Sequence, residues 1–337
     1  MKLATYKDGS RDGQLVVVAR DLSIAHYAST IASRLQQVLD DWNFLAPQLQ
    51  DLSDALNAGR ARHAFPFDPR QCMAPLPRAG LWALADAYDA GLPAESAADP
   101  GLRLGAGHGL AGACDPVPAL SEQQGIDFGA GLAVVTADIP QRASPEQALD
   151  GVRLVLLVNA VVLHADGLTA AQRQPHTAFG PVAVTLDELG DAWAQGRLQL
   201  PLQTHWNGRR VGMAEAGADM RWHFGELIAH LCATRPLAAG SIVGAGTVRN
   251  RGVEGKSRME WPKGFHAIAD KRTVEALRDG QAATGFLRFG DSLRIEMKDA
   301  DGLSLFGAIE QEVVALAPPG VASARGRGHA APAAQED

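Results

Sequence analysis

The stretch Gly125-Ile-Asp-Phe-Gly-Ala-Gly-Leu-Ala-Val-Val-Thr136 decides the fold. Its second half is a run of β-formers with no turn residue, and it reads as a buried strand. Yet the strand carries Gly129 and Gly131, two apart and therefore on one face. Glycine inside a strand weakens it and contributes no side chain to the packing. One face of a good strand has been emptied, and Asp127 begins that same face.

Outward from this strand, β signals dominate: "VRLVLLVNAVVL" (152–163), "PVAVT" (181–185), "LQLPLQTHWNG" (198–208), "RRVGMAEA" (209–216), "SIVGAGTV" (241–248) and "DSLRIEMKDADGLSLFGAIE" (291–310). "WNGRR" and "DADGLS" carry hairpin-turn residues. Helices are expected at 144–151, 186–195, 219–233 and 270–279. The start reads as a hairpin around "DGSRDG" (8–13), and a helical segment follows over 27–57 with Leu35, Val38, Leu39 and Trp42 at helical spacing. "FPFDPRQCMAPLPR" reads as a linker, and residues 79–115, rich in Ala and Gly, as a long loop or a short helix and loop. The expected class is α+β and β-rich. The expected division is a small N-terminal α+β domain over 1–72, a linker and divergent loop over 73–124, a β-rich domain over 125–316, and a disordered tail over 317–337, where bulky apolar residues are few.

Bulk properties exclude several function classes. The chain of 337 residues has a net charge of −7 and 6% aromatic residues, which does not suggest a nucleic-acid or anionic-membrane partner. Three cysteines, Cys72, Cys114 and Cys232, without a CxxC pair, offer neither a disulfide framework nor a zinc-thiolate site. No run of about 18 apolar residues is present, and the N-terminus has no apolar signal core. A cytoplasmic location is expected.

Several stretches, in order from about 1 to 315, resemble the fumarylacetoacetate hydrolase family in its bacterial form: "GIDF" with "LAVVT", "QPHTAFGPVAVT", "DMRWHFGELIAHL", "SIVGAGTV" and "GDSLRIEM…LFGAIEQ". The resemblance implies a mixed β-sheet roll behind a small N-terminal domain, packed as a homodimer. It implies hydrolytic C–C cleavage of 1,3-dicarbonyl acids, or decarboxylation and tautomerisation of related oxo-acids. The family's Mg²⁺ or Ca²⁺ needs hard oxygen ligands, hence carboxylates.

The resemblance also explains the emptied face. The family pattern is Asp-Phe-Glu-x-Glu, with both glutamates ligating the ion, and here those positions are Gly129 and Gly131. The next family ligand, an aspartate after asparagine, is Ala160 in "VNAVVLH". The family lysine before Pro-x-Thr is Gln174 in "QRQPHTAF". The family's histidine motif has no counterpart in 79–115, where His108 sits in "GAGHGL". Thr177 is retained, and Thr247 in "GAGTV" matches a family substrate contact. The metal is therefore expected to be lost and no cofactor is expected, leaving Gly129, Gly131, Ala160, Gln174, Thr177 and Thr247 around a pocket for a small-molecule substrate. Because all three ligand positions became Gly or Ala, the pocket is expected to be enlarged, and Gly131→Leu to leave the fold intact while blocking the ligand.

His164, His176 and Asp270 are candidate catalytic groups, the histidines because imidazole titrates near neutral pH. Asp270, in "GFHAIADKR", lies near where the resemblance implies the acid partner of the family's histidine. The plainer reading makes each histidine an exposed or hydrogen-bonded structural residue, and Asp127 a turn or strand-start residue. His223, Glu226 and His230 have metal-like helical spacing, but capping or ion pairing explains them more simply. Gly244 and Gly246 lack the Lys-Ser/Thr of a phosphate loop. Three functions stay open: a metal-independent enzyme for a larger oxo-acid or polyketide-like molecule (cyclisation, isomerisation or rearrangement), a non-catalytic binding or partner subunit, and a metal-dependent hydrolase with substitute ligands.

Overall fold

A computed structural model describes residues 1–89, 99–255 and 259–316. The expected 317–337 tail and the middle of the 79–115 loop lie outside the described residues. The strands are β1 Lys2–Tyr6, β2 Gln14–Val18, β3 Ile24–Tyr27, β4 Phe65–Pro66, β5 Trp82–Leu84, β6 Arg103–Gly105, β7 Val117–Ala119, β8 Ile126–Asp127, β9 Ala130–Thr136, β10 Val152–Leu163, β11 His176–Phe179, β12 Ala183–Thr185, β13 Trp193–Ala194, β14 Arg197–Leu198, β15 Pro201–Trp206, β16 Arg209–Glu215, β17 Ile242–Thr247, β18 Val253–Glu254, β19 Met259–Glu260, β20 Ser292–Lys298 and β21 Ser304–Ala315. The helices are α1 Leu35–Asp40, α2 Trp42–Asn57, α3 Pro145–Asp150, α4 Leu186–Leu189, α5 Phe224–Cys232 and α6 Ile268–Asp279.

The protein is a mixed, sheet-rich α+β fold. Its main sheet runs β4-β3-β2-β1-β12-β10-β9-β17-β5-β6, with β8 and β11 paired to β10. The β17–β5 pair is parallel and the others are antiparallel. A second sheet runs β16-β15-β20-β21-β7. The stretch around Gly129 thus becomes the central strand β9, between β10 and β17. It is buried along its whole length, which is why its sequence runs apolar without alternation. Leu132 and Val134 enter one apolar layer, shared with α3 and α5. Ala133 and Val135 enter the other, which α1 and α2 cover.

Several expectations are corrected. The helical segment over 27–57 begins only at Leu35, because Ile24–Tyr27 is drawn into the sheet as β3. Of 186–195 only Leu186–Leu189 is α-helical, and Gln195-Gly196 then turn a short hairpin between β13 and β14. The 79–115 stretch is neither plain loop nor helix at its described ends. It supplies β5 and β6, and Trp82 is 3% exposed against the next strand. Three-residue strands carry too few residues to show a period.

Candidate functional site

The positions singled out in the sequence converge where β9, β10, β11 and β17 meet. Gly131 lies opposite Val158 on β10 and Thr247 on β17, and Ala160 lies opposite Thr177 on β11. Cross-strand partners share a face, so Gly131, Val158, Ala160 and Thr177 belong to one face. The Gly129 carbonyl accepts from the Ala160 N–H at 2.9 Å, and the Gly129 N–H donates to Asn159 Oδ1 at 3.1 Å. Gln174 lies beyond the start of β11 and is not drawn into this cluster by any hydrogen bond among the described residues.

The emptied face is not open space. A Cβ placed on Gly129 would stand 2.6 Å from the Ala160 carbonyl oxygen and 3.1 Å from Thr247 Oγ1. A Cβ on Gly131 would run into the Gly246 carbonyl oxygen more deeply still. Gly246 itself has φ +92°, and its own close neighbour is the Ala85 carbonyl. This left-handed turn interrupts the β9–β17 register between Gly244 and Thr247 and swings its carbonyl toward β9. The expectation that glycine at 129 and 131 makes room for a larger ligand is therefore corrected. The glycines admit backbone, not substrate, and Gly131→Leu has no space.

The site does not fit the family's divalent ion. Such an ion requires several carboxylate or carbonyl oxygens arranged around one point. The positions that the resemblance aligns with the family's ligands are two glycines and an alanine, and main-chain oxygens stand where side chains at 129 and 131 would begin. Among the described residues no group of three His, Cys, Asp or Glu side chains is placed to hold a metal.

The candidate catalytic groups are held by structural partners. Asp127, 1% exposed, accepts from the Ile268 N–H at 2.7 Å and the Ala269 N–H at 2.8 Å, so it ties down the first turn of α6. His164 Nε2 lies 3.1 Å from the same carboxylate. Its ring stacks on Phe286, with centroids 4.9 Å apart. His176 lies opposite Val161, so it faces away from Ala160 and Thr177. Burial lowers its pKa, against the pull of Asp115. On that reverse face a buried chain runs from the Gly129 N–H through Asn159 to Gln311 Oε1, and Gln311 Nε2 donates to the Asp115 carbonyl at 2.7 Å. His223 caps α5: its Nδ1 accepts from the Gly225 N–H, and Glu226 accepts from the His223 N–H at 2.8 Å. The capping explanation of the His223/Glu226 spacing holds.

Asp270, on the first turn of α6, is paired to Arg249, whose Nε donates to Asp270 Oδ2 at 2.8 Å. Arg249 Nη1 donates to Asp86 Oδ1. Burial works against the guanidinium's charge, but Asp270 and Asp86 outweigh it and hold its pKa above the ordinary value. Burial pushes the Asp270 carboxyl upward while Arg249 draws it down. Sequence reasoning missed Arg249 and Asp86. The available signal was spacing: Arg249 is two residues after Thr247, and in extended chain that is the same side.

Comparison with known proteins places these features in context. Residues 1–78 match the model of fumarylacetoacetase N-terminal domain 2, and residues 84–314 match that of the fumarylacetoacetate (FAA) hydrolase C-terminal region. The fold is similar to that of maleylpyruvate hydrolase from Sphingobium sp. SYK-6, with 18% identity, a TM-score of 0.64, and 94% of this chain and 100% of that one covered. A second structure of that hydrolase is a complex with manganese(II) ion and pyruvate, with 18% identity, a TM-score of 0.64, and 94% and 99% covered. A probable 2-hydroxyhepta-2,4-diene-1,7-dioate isomerase from Mycobacterium abscessus is similar at 18% identity and a TM-score of 0.66, with 94% and 100% covered. No curated protein matches the chain.

Proposed function

The chain belongs to the fumarylacetoacetate hydrolase family, and from that premise we propose that it keeps the family scaffold as a non-catalytic binding or partner subunit and does not carry out metal-dependent C–C hydrolysis. One observation carries this reading: the carbonyl oxygens of Ala160 and Gly246 stand where side chains at 129 and 131 would begin. Merely deleting carboxylates would leave a cavity that water or a ligand could use. Backbone drawn into that place instead supports a site turned over to packing. In the family the ion and the lysine answer the charge that builds on an enolate leaving group, and this chain carries Gly129, Gly131, Ala160 and Gln174 at the positions the resemblance aligns with them. The proposal includes the family's homodimer, which light scattering at micromolar concentration checks.

The test pairs Mn²⁺ titration by calorimetry with turnover of a simple acylpyruvate. No stoichiometric binding and no metal-dependent turnover are expected. A one-to-one Mn²⁺ complex with metal-dependent cleavage would overturn the reading.

A second reading, a metal-independent enzyme acting on an oxo-acid, is favoured by one feature. Thr247 Oγ1 stands 3.1 Å from where a Cβ on Gly129 would begin, offering a hydroxyl for an acid oxygen beside the vacated positions. Mass spectrometry of small molecules retained through purification separates the two readings. A single oxo-acid recovered in stoichiometric amount, then consumed in metal-free buffer, would put the enzyme first.

A further inference from the structure

β5 and β17 run parallel, with Leu84 at the end of β5 opposite Gly244, and the chain leaving β17 meets the first turn of α6 through Arg249 and Asp270. Asp86 follows β5, Arg249 follows β17, and Asp270 lies in the first turn of α6. The guanidinium joins all three by giving Nη1 to Asp86 and Nε to Asp270. Contacts lead from here back to the vacated face. The Cα of Asp86 is 3.4 Å from the place a Cβ on Gly246 would take, and the Gly246 carbonyl is what closes on Gly131.

We propose that Arg249 is the resident cation of this site: it holds Asp86 and Asp270 together as a divalent ion would hold two carboxylates, and so keeps the Gly246 turn closed on β9. The proposal rests on the reading that the chain has given up the family's metal.

Three observations support it. Two carboxylates around one guanidinium leave an excess of negative charge, a balance that suits a divalent cation better than a monovalent one. The side chains of Asp270 and Arg249 are 11% and 23% exposed, so the charges of that pair are only weakly screened, while Asp86 closes the cluster from a half-exposed position at its rim. The cluster is also tightly packed. The cavity that Arg249, Asp270, Asn250 and Trp261 help to line measures about 10 Å³, too small for anything beyond one water molecule. Arginine suits this place because its planar fork addresses two acceptors at fixed angles, which lysine cannot do. The two carboxylate oxygens sit on nearby nitrogens of one fork. A single ion with oxygen bonds of about 2.4 Å could bridge them in the guanidinium's place.

The test removes the guanidinium and supplies the ion. Arg249→Ala in the full chain is expected to melt about 5–10 °C lower in chelator-treated buffer. Addition of about 5 mM Ca²⁺ or Mn²⁺ is expected to restore at least half of that loss, by preferential binding to the folded state. The same ions should leave the wild type unmoved, and Asp270→Asn on the Arg249→Ala background should abolish the recovery. If Arg249→Ala does not fold unaided, refolding in the presence of either ion is the deciding measurement, and recovery of folded protein supports the proposal. An unchanged melting temperature in Arg249→Ala would overturn it, as would a loss that neither ion repairs. Metal binding by the wild type would count against the proposed function instead, which keeps the two failures apart.

Discussion

Gly131→Ala is the sharpest probe of the closed site. The substitution adds one methyl group to the middle of the main sheet, on the strand between β10 and β17. At Gly129 the added Cβ would stand 2.6 Å from the Ala160 oxygen, and at Gly131 the overlap with the Gly246 oxygen is greater. Ordinary carbon–oxygen contacts lie near 3.4 Å, so the chain must part by about 1 Å from β10 at Gly129 and from the Gly246 turn at Gly131. The obstacle at 131 is a carbonyl in a left-handed turn whose far side already abuts Ala85. It cannot rotate away as a side-chain tip would. Overpacking of this kind costs about 1–3 kcal/mol, and backbone on both sides places Gly131→Ala at about 3 kcal/mol, with Gly129→Ala about 2. Gly285→Ala is the control, since nothing lies within 4 Å of that position, and it should stay within about 0.5 kcal/mol of wild type. Urea unfolding followed by circular dichroism reads all three. A Gly131→Ala protein as stable as wild type would refute the reasoning, for it would mean the carbonyl is not there and the face is open after all.

Asp127→Asn would turn an amide N–H₂ toward one of the two backbone N–H groups the carboxylate accepts, and should lower stability by about 2 kcal/mol in the same assay; an unmoved urea midpoint would remove Asp127 from the anchoring of α6. His266 is fully buried, with Nδ1 2.7 Å from Thr204 Oγ1 and Nε2 accepting from the Ala214 N–H, and burial pushes its pKa down to about 3. The folded state therefore keeps it neutral, so its contribution is whole above the ordinary histidine value of about 6.5 and is lost as pH falls from there toward about 3. The slope is at most about 1.4 kcal/mol per pH unit. Stability measured across that range should fall less steeply in His266→Gln, and parallel slopes would assign the acid sensitivity to other groups.

The sequence revealed the strands whose burial is two-sided, because a long apolar run such as 152–163 needs no partner to be recognised. It revealed the turns at Asn207-Gly208 and near Asp301-Gly302 for the same local reason. It was silent on β5 and β6, whose three residues each become strands only because β17 receives β5 at the side of the main sheet and β5 in turn receives β6. At the site, the identity of the missing groups was legible but the consequence was not. Glycine in a strand is compatible with a cavity and with a close approach of main chain, and the choice depends on Gly246, more than a hundred residues away. Arg249 escaped notice because a charge beside a retained threonine looks like any solvated residue until its two carboxylates arrive from β5 and α6.

The pairing of β1 with β12 has a consequence for how the chain can be divided. Lys2 and Leu3 lie opposite Val184 and Ala183, so the first strand of the N-terminal unit is laid directly onto the sheet that carries the site. The boundary expected after residue 72 follows a change of sequence character, and the two family models meet a little later, between residues 78 and 84, but no mechanical joint coincides with either. A protein cut there would keep β12 as a bare, apolar edge with its hydrogen-bonding groups unanswered, the kind of border along which chains recruit one another. For this reason the two halves inherit their fates together: a lesion in the opening hairpin is felt at the rim of the main sheet, and an N-terminal truncation would act less as the removal of an ornament than as the opening of a seam.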